Sequence, residues 1–102
     1  MTVEELKTLV DAGEAPVVLD VREAHELSIA SFPMPVVHIP LGTLPQRLGE
    51  LPSGARIVCA CRSGARSAQA AQFLRQRGYE AVNLDGGILA WARRIDPSVR
   101  QY

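Results

Sequence analysis

The sequence predicts an α/β fold built on a central, mostly parallel sheet with helices on both faces. Three observations predict it. Short apolar runs of strand length alternate with helical patterns along the whole chain, the arrangement of a covered parallel sheet. The first run, Val17-Val18-Leu19-Asp20-Val21, is almost continuously apolar, as a strand buried on both faces requires. Gly and Pro punctuate the boundaries between the elements.

The elements follow in order. Thr2-Val3-Glu4-Glu5 reads as a capping box, with Thr2 as N-cap and Glu5 reaching back. Leu6, Leu9 and Val10 supply the apolar stripe of that helix, and Gly13 stops it. After Ala15-Pro16 comes the Val17–Val21 strand, then a short helix over Glu23–Ile29. Prolines in Ser31-Phe32-Pro33-Met34-Pro35 exclude regular helix there, and Phe32 with Met34 suggests an exposed docking edge. Val36–Ile39 is a second strand, stopped by Pro40, and Leu41–Leu48 reads as helical with Leu44 and Leu48 on one face. Pro52-Ser53-Gly54 turns the chain into a third strand, Arg56–Ala60. Ala68, Ala71 and Leu74 form a small-residue stripe on a helix running to Arg77 and ended by Gly78. Ala81–Leu84 is the fourth strand, Ile88–Ile95 the last helix, and Asp96-Pro97 begins a tail.

At 102 residues and 47% hydrophobic content, the chain suits one domain with a real core, spanning residues 1–102. Its formal net charge is zero, which removes any global electrostatic case for nucleic acid or an anionic membrane as partner. No signal peptide or span-length apolar run is visible, and the two cysteines form no disulfide framework. A soluble cytoplasmic protein with reduced thiols is expected. His25 and His38 lack metal-ligand spacing with the cysteines, so neither a metal nor another cofactor is expected.

Chemistry concentrates in Cys61-Arg62-Ser63-Gly64-Ala65-Arg66-Ser67, between the third strand and the following helix. An ordinary thiol is mostly protonated at neutral pH and a poor nucleophile. Backbone N–H groups at a helix N-terminus and neighbouring arginines both favour the thiolate. The loop can curl so that successive N–H groups point inward as an anion cradle, with Gly64 supplying the backbone freedom. Arg66 lies just before the helix, and the two arginines argue against an apolar, buried setting for Cys61. The carboxyl ends of parallel strands, where Cys61, Asp20 and Asp85 lie, are where ligands bind in such sheets.

The other candidates have quieter readings. Cys59 reads as a small buried hydrophobe, with a resolving thiol as the alternative. In the cluster Asp20, Arg22, Glu23 and Glu26, an Asp–Arg pair fixing the loop is preferred over a rim that governs ligand entry. His25 reads as an exposed helix residue, His38 as a satisfied structural histidine, and Trp91 as a core anchor. Gly86-Gly87 is either a wall approaching the cysteine loop or a tight turn.

Taken together, the Cys61–Ser67 loop, Asp20-Val21-Arg22-Glu23, His38-Ile39-Pro40-Leu41 and Asp85-Gly86-Gly87 with Trp91 resemble the rhodanese family of single-domain sulfurtransferases. The resemblance implies a rhodanese-like fold with a central, mostly parallel sheet of four to five strands. The family's first strand would be reduced here to Met1–Val3 at most. The Ala30–Pro35 segment and the ending through Gln101-Tyr102 look most like rhodanese domains fused to ubiquitin-activating-like adenylyltransferases, which pass sulfur to small carrier proteins. Lacking that fused domain, this chain would act alone or beside a separate partner.

By resemblance, Cys61 would be the catalytic persulfide carrier, charged by thiosulfate or another sulfane-sulfur donor. The N–H groups of Arg62, Ser63, Gly64, Ala65 and Arg66 would hold the transferred sulfur, and Arg62 and Arg66 would bind an anionic donor. A small thiol, cyanide or a sulfur-carrier protein would accept it. Two other functions compete: a non-enzymatic binding module, and a phosphatase. Related dual-specificity phosphatases use Cys-x5-Arg, whereas Cys61 and Arg66 here give Cys-x4-Arg, a narrower ring better suited to one sulfur than to a phosphoryl group.

Overall fold

The computed structural model of the protein describes all of residues 1–102. Four parallel strands form one sheet: β1 (Val17–Asp20), β2 (Val37–His38), β3 (Arg56–Ala60) and β4 (Glu80–Asn83), in the order β2-β1-β3-β4. Four helices accompany them: α1 (Val3–Asp11), α2 (Ala24–Ile29), α3 (Ala65–Gln76) and α4 (Gly87–Arg94). β3 is central, with Leu19 beside Cys59 on one flank and Asn83 beside Cys59 on the other.

Alternate residues of β3 enter two different cores, as the two-residue strand period dictates. Ile57, Cys59 and the following Cys61 face one side with Ala70, Ala71 and Leu74 of α3. Val58 and Ala60 face the other with Val3 and Leu6 of α1 and Ile88 and Trp91 of α4. Small side chains on α3 let the helix approach the sheet closely. Its buried stripe is Ser67, Ala70, Ala71 and Leu74, with Ala68 turned to solvent. A leucine fully withdrawn from water, such as Leu6 or Leu74, contributes about 1.5–3 kcal/mol.

The α1 capping box forms as expected: Glu5 N–H donates to Thr2 Oγ1 (3.1 Å) and Thr2 N–H to Glu5 Oε1 (3.0 Å). Just before it, Met1 donates to the Asn83 carbonyl and accepts from Asp85 N–H, so the chain start extends the sheet pairing beyond β4 by one residue.

Three local expectations are corrected. Leu41–Leu48 is not α-helix but two 3-10 turns, Leu41–Gln46 and Leu48–Glu50. Pro45 has no N–H to give an α-helical bond and its ring crowds the preceding turn. Leu44 is nonetheless buried as expected. α3 begins at Ala65 rather than Ala68, because Gly64 adopts a left-handed conformation (φ 107°) and ends the loop early; Arg66 is therefore inside the helix. Phe32 and Met34 are buried, not a docking edge, and the Phe32 ring packs edge-on against Trp91 at 6.1 Å. Trp91 is the core anchor expected of it, and His38 is satisfied by the Arg22 carbonyl at 2.7 Å. No helix is long and apolar enough to cross a membrane.

Candidate active site

Strand β3 delivers Cys61 to the carboxyl edge of the sheet, and Gly64 folds the next residues back over the sulfur. Cys61 Sγ accepts from Gly64 N–H at 3.1 Å, Ser67 N–H at 3.4 Å and the Ser67 hydroxyl oxygen lies at 3.3 Å. The last two belong to the first turn of α3, whose N–H groups lack partners within the helix. Burial pushes the Cys61 thiol up, but the Ser67 hydroxyl and the N–H groups of Ser67, Gly64 and Ser63 outweigh it and leave the thiol below its ordinary value.

The sulfur is not open to solvent. Cys61 is 1% exposed, contrary to the expectation that two arginines would keep it out of a buried setting. Arg62 bonds Tyr102 and Arg66 bonds Glu26, while the loop's own N–H groups meet the sulfur. None of the three surface depressions is lined by a loop residue.

Arg66 donates to both carboxylate oxygens of Glu26, at 2.6 and 2.9 Å. Glu26 Oε2 also accepts from the Tyr102 hydroxyl at 2.6 Å, and Oε1 from Glu23 N–H at 3.1 Å. The Arg66 guanidinium, with help from these donors, holds the Glu26 carboxyl down at about 2. Behind it, Arg22 pairs with Asp20 through Nη2 at 2.8 Å and Nε at 3.0 Å, with neither residue exposed. This is the loop-fixing pair preferred from sequence. Arg22 Nη1 also donates to the Tyr102 hydroxyl at 3.0 Å, which joins the two ion pairs. Arg62 reaches the Tyr102 backbone carbonyl and lies 5.2 Å from the centre of its ring.

The far wall is Gly87. Ile88 N–H donates to the Cys61 carbonyl at 2.9 Å and Leu89 N–H to the Arg62 carbonyl at 3.1 Å, so the start of α4 pins the loop's carbonyls. A β-carbon on Gly87 would stand 2.5 Å from each of those oxygens. Both readings of Gly86-Gly87 hold: Gly87 N–H donates to the Leu84 carbonyl at 3.1 Å in a tight turn into α4, and the same turn brings Gly87 against the cysteine loop.

The second thiol, Cys59, is fully buried and pushed up to about 12 by that burial. It has the setting of a core residue. Glu26 and Tyr102 were not read as partners of the loop from sequence, and neither was Asn83, whose side chain bonds Gly64 and Ser67. A signal for Asn83 existed: it is the one polar residue in Ala81-Val82-Asn83-Leu84.

Residues 2–94 match the family model described as "Rhodanese-like domain", over most of the chain. The chain belongs to the rhodanese-like family. A rhodanese-related protein of Thermoplasma volcanium superposes with a TM-score of 0.86 at 31% identity, covering 100% of this chain and 97% of that one. Among curated relatives, a protein of Allochromatium vinosum named sulfurtransferase is 39% identical, across 94% of this chain and 90% of its own length. A maize protein named adenylyltransferase and sulfurtransferase MOCS3-1 is also 39% identical and covers 100% of this chain, but the chain spans only 23% of its length. The likeness to the adenylyltransferase-fused rhodanese domains read from the tail is therefore present beside likeness to stand-alone relatives. Membership in a rhodanese-like sulfurtransferase family accounts for the parallel sheet with a cysteine loop at its carboxyl edge.

Proposed function

We propose that this protein is a sulfurtransferase that carries sulfane sulfur as a persulfide on Cys61. The observation that carries the reading is the convergence of the Gly64 and Ser67 N–H groups and the Ser67 hydroxyl on Cys61 Sγ. These donors favour the thiolate over the thiol, and the thiolate is the attacking species.

With thiosulfate as donor, the Cys61 thiolate attacks the outer sulfur. A new S–S bond forms, the old one breaks, and sulfite leaves with its electron pair. The persulfide then carries the negative charge on its outer sulfur. The N–H groups of Arg62, Ser63, Gly64, Ala65 and Arg66 hold that charge, and Arg62 and Arg66 draw in an anionic donor. A small thiolate, cyanide or a thiolate of a sulfur-carrier protein attacks the outer sulfur, takes it in a new bond and releases the Cys61 thiolate as the S–S bond breaks. A Bacillus subtilis relative, 37% identical across 94% of this chain, is named putative sulfur carrier protein YrkF, which supports a carrier protein as partner. Each step is a displacement at sulfur that needs no cofactor, and the free cysteines suit a reducing compartment such as the cytoplasm.

A phosphatase reading has less support. Only four residues separate Arg66 from Cys61, a narrower ring than one that must place donors on the three oxygens of a phosphoryl group. A binding module without chemistry would have no use for a thiol held below its ordinary value.

The test is direct. Wild-type protein incubated with thiosulfate gains the mass of one sulfur atom, and Cys61→Ser does not. Failure of the wild type to load from thiosulfate, polysulfide or a protein persulfide would sink the proposal. Aryl-phosphate turnover abolished by Cys61→Ser would restore the phosphatase.

A further inference from the structure

Asn83 sits beside Cys59 in the β3–β4 register, yet its side chain reaches the cysteine loop. Its Nδ2 donates to the Gly64 carbonyl at 3.1 Å, and its Oδ1 lies 2.6 Å from Ser67 Oγ. A carbonyl only accepts, so the Gly64 oxygen determines which end of the carboxamide faces it. Oδ1 must then face Ser67, and it too only accepts. The hydroxyl has one proton and two claimants, Asn83 Oδ1 at 2.6 Å and Cys61 Sγ at 3.3 Å. While the sulfur is protonated, the shorter bond takes the proton, and Ser67 turns a lone pair toward Sγ. That arrangement suits an S–H donor. It does not suit a thiolate, which calls for the hydroxyl proton itself.

We infer that Asn83 is a positioning residue acting through Ser67: it holds the hydroxyl proton while Cys61 is protonated and surrenders it to the sulfur when Cys61 ionises. Ionisation therefore breaks the Asn83–Ser67 bond and leaves Oδ1 without that donor. Asn83 restrains thiolate formation that the loop's N–H groups promote. The restraint has a use, because thiolate nucleophilicity falls as the thiol pKa falls and the best attacking thiol titrates near ambient pH. The charged and titratable groups around the loop and Asn83 are Arg62 and Arg66, Glu26 of α2, Asp20 and Arg22 at the end of β1, Tyr102, the buried Cys59, the Met1 ammonium on the Asn83 carbonyl and Asp85 beside it; none is altered by the substitutions below. The inference rests on Cys61 being the nucleophile and goes beyond that reading by assigning Asn83.

The experiment is the pH titration of thiolate ultraviolet absorbance in the whole chain, with Cys61→Ser as the blank, for wild type, Asn83→Ala, Ser67→Ala and the double variant. Loss of about one hydrogen bond's restraint lowers the Cys61 midpoint in Asn83→Ala by roughly half a unit to one unit. In the Ser67→Ala background the same substitution produces no downward shift. An equal shift in both backgrounds, or none in either, overturns the inference, since a purely structural clamp on Gly64 acts without Ser67. Should Asn83→Ala fail to fold, the side-chain amide resonances of Asn83 serve instead: in the wild type they titrate with the Cys61 midpoint, and in Ser67→Ala they do not. Flat resonances through that midpoint in the wild type overturn the inference. Parallel loading trials with thiosulfate, polysulfide and a protein persulfide keep the two ideas apart: coupling through Ser67 with no sulfur adduct from any of them refutes the sulfurtransferase proposal and upholds the role of Asn83.

Discussion

Gly87 touches the backbone of Cys61: a β-carbon at position 87 would lie 2.5 Å from the Cys61 carbonyl oxygen, and the residue adopts φ +59°. The cysteine loop is thus shaped from outside by the start of α4 as well as by its own Gly64. Gly87→Ala is expected to cost about 1–3 kcal/mol in backbone strain alone, and to displace the loop and abolish sulfur loading. Gly78→Ala is the control, with a positive φ of 87° but no atom within 4 Å of the added carbon. It should lose stability and still load sulfur. Thermal melting and intact mass after thiosulfate treatment report both quantities.

Removing Asp20 strands a buried cation. Arg22 and Asp20 are both unexposed, and Asp20→Ala leaves the guanidinium without its carboxylate. A loss of about 3–5 kcal/mol is expected, measured by urea unfolding. A loss below 1 kcal/mol would mean that Tyr102 and the Glu26 carbonyl suffice for Arg22.

Glu26 makes stability depend on acid. Its carboxyl is lowered from an ordinary 4.5 to about 2 by Arg66. The folded state therefore binds this proton more weakly than the unfolded chain. The Glu26 contribution is fully present above pH 4.5 and is lost as pH falls through that value toward about 2. Glu26→Gln should be less stable than wild type at neutral pH, and the gap should close over that acid range. Chemical denaturation at a series of pH values measures it; a gap independent of pH would assign the effect to packing instead.

Cys59 should be silent chemically. With its thiol pushed up to about 12 and no exposure, it should resist alkylation in the folded protein at neutral pH. Cys59→Ala should cost about 1 kcal/mol through the small void it leaves, and should keep single-sulfur loading. Loading preserved with turnover lost would instead assign Cys59 a resolving role.

Strand and helix order were legible because each rests on local signals. The Thr2–Glu5 cap, the apolar Val17–Val21 run and the Gly78 stop act within a few residues of themselves. The 3-10 turns after Pro40 were misread as helix because Leu44 and Leu48 satisfy a helical stripe while Pro45 forbids the bonding. Phe32 and Met34 were misplaced because a proline-rich loop normally runs over the surface, whereas here it closes over Trp91.

By itself, the sequence determined the alternating α/β order, the placement of Cys61 at the carboxyl end of a buried strand, and the four-residue interval to Arg66. Those are properties of neighbours along the chain. Tertiary structure alone decided that Arg66 faces Glu26, 40 residues away, that Tyr102 joins Glu26 to Arg22, and that Asn83 reaches Ser67. Such pairings depend on which strands lie side by side. Because β3 lies between β1 and β4, residues from both flanks converge on one sulfur loop. A hydrogen-bond partner is chosen by distance in space, which sequence separation does not encode.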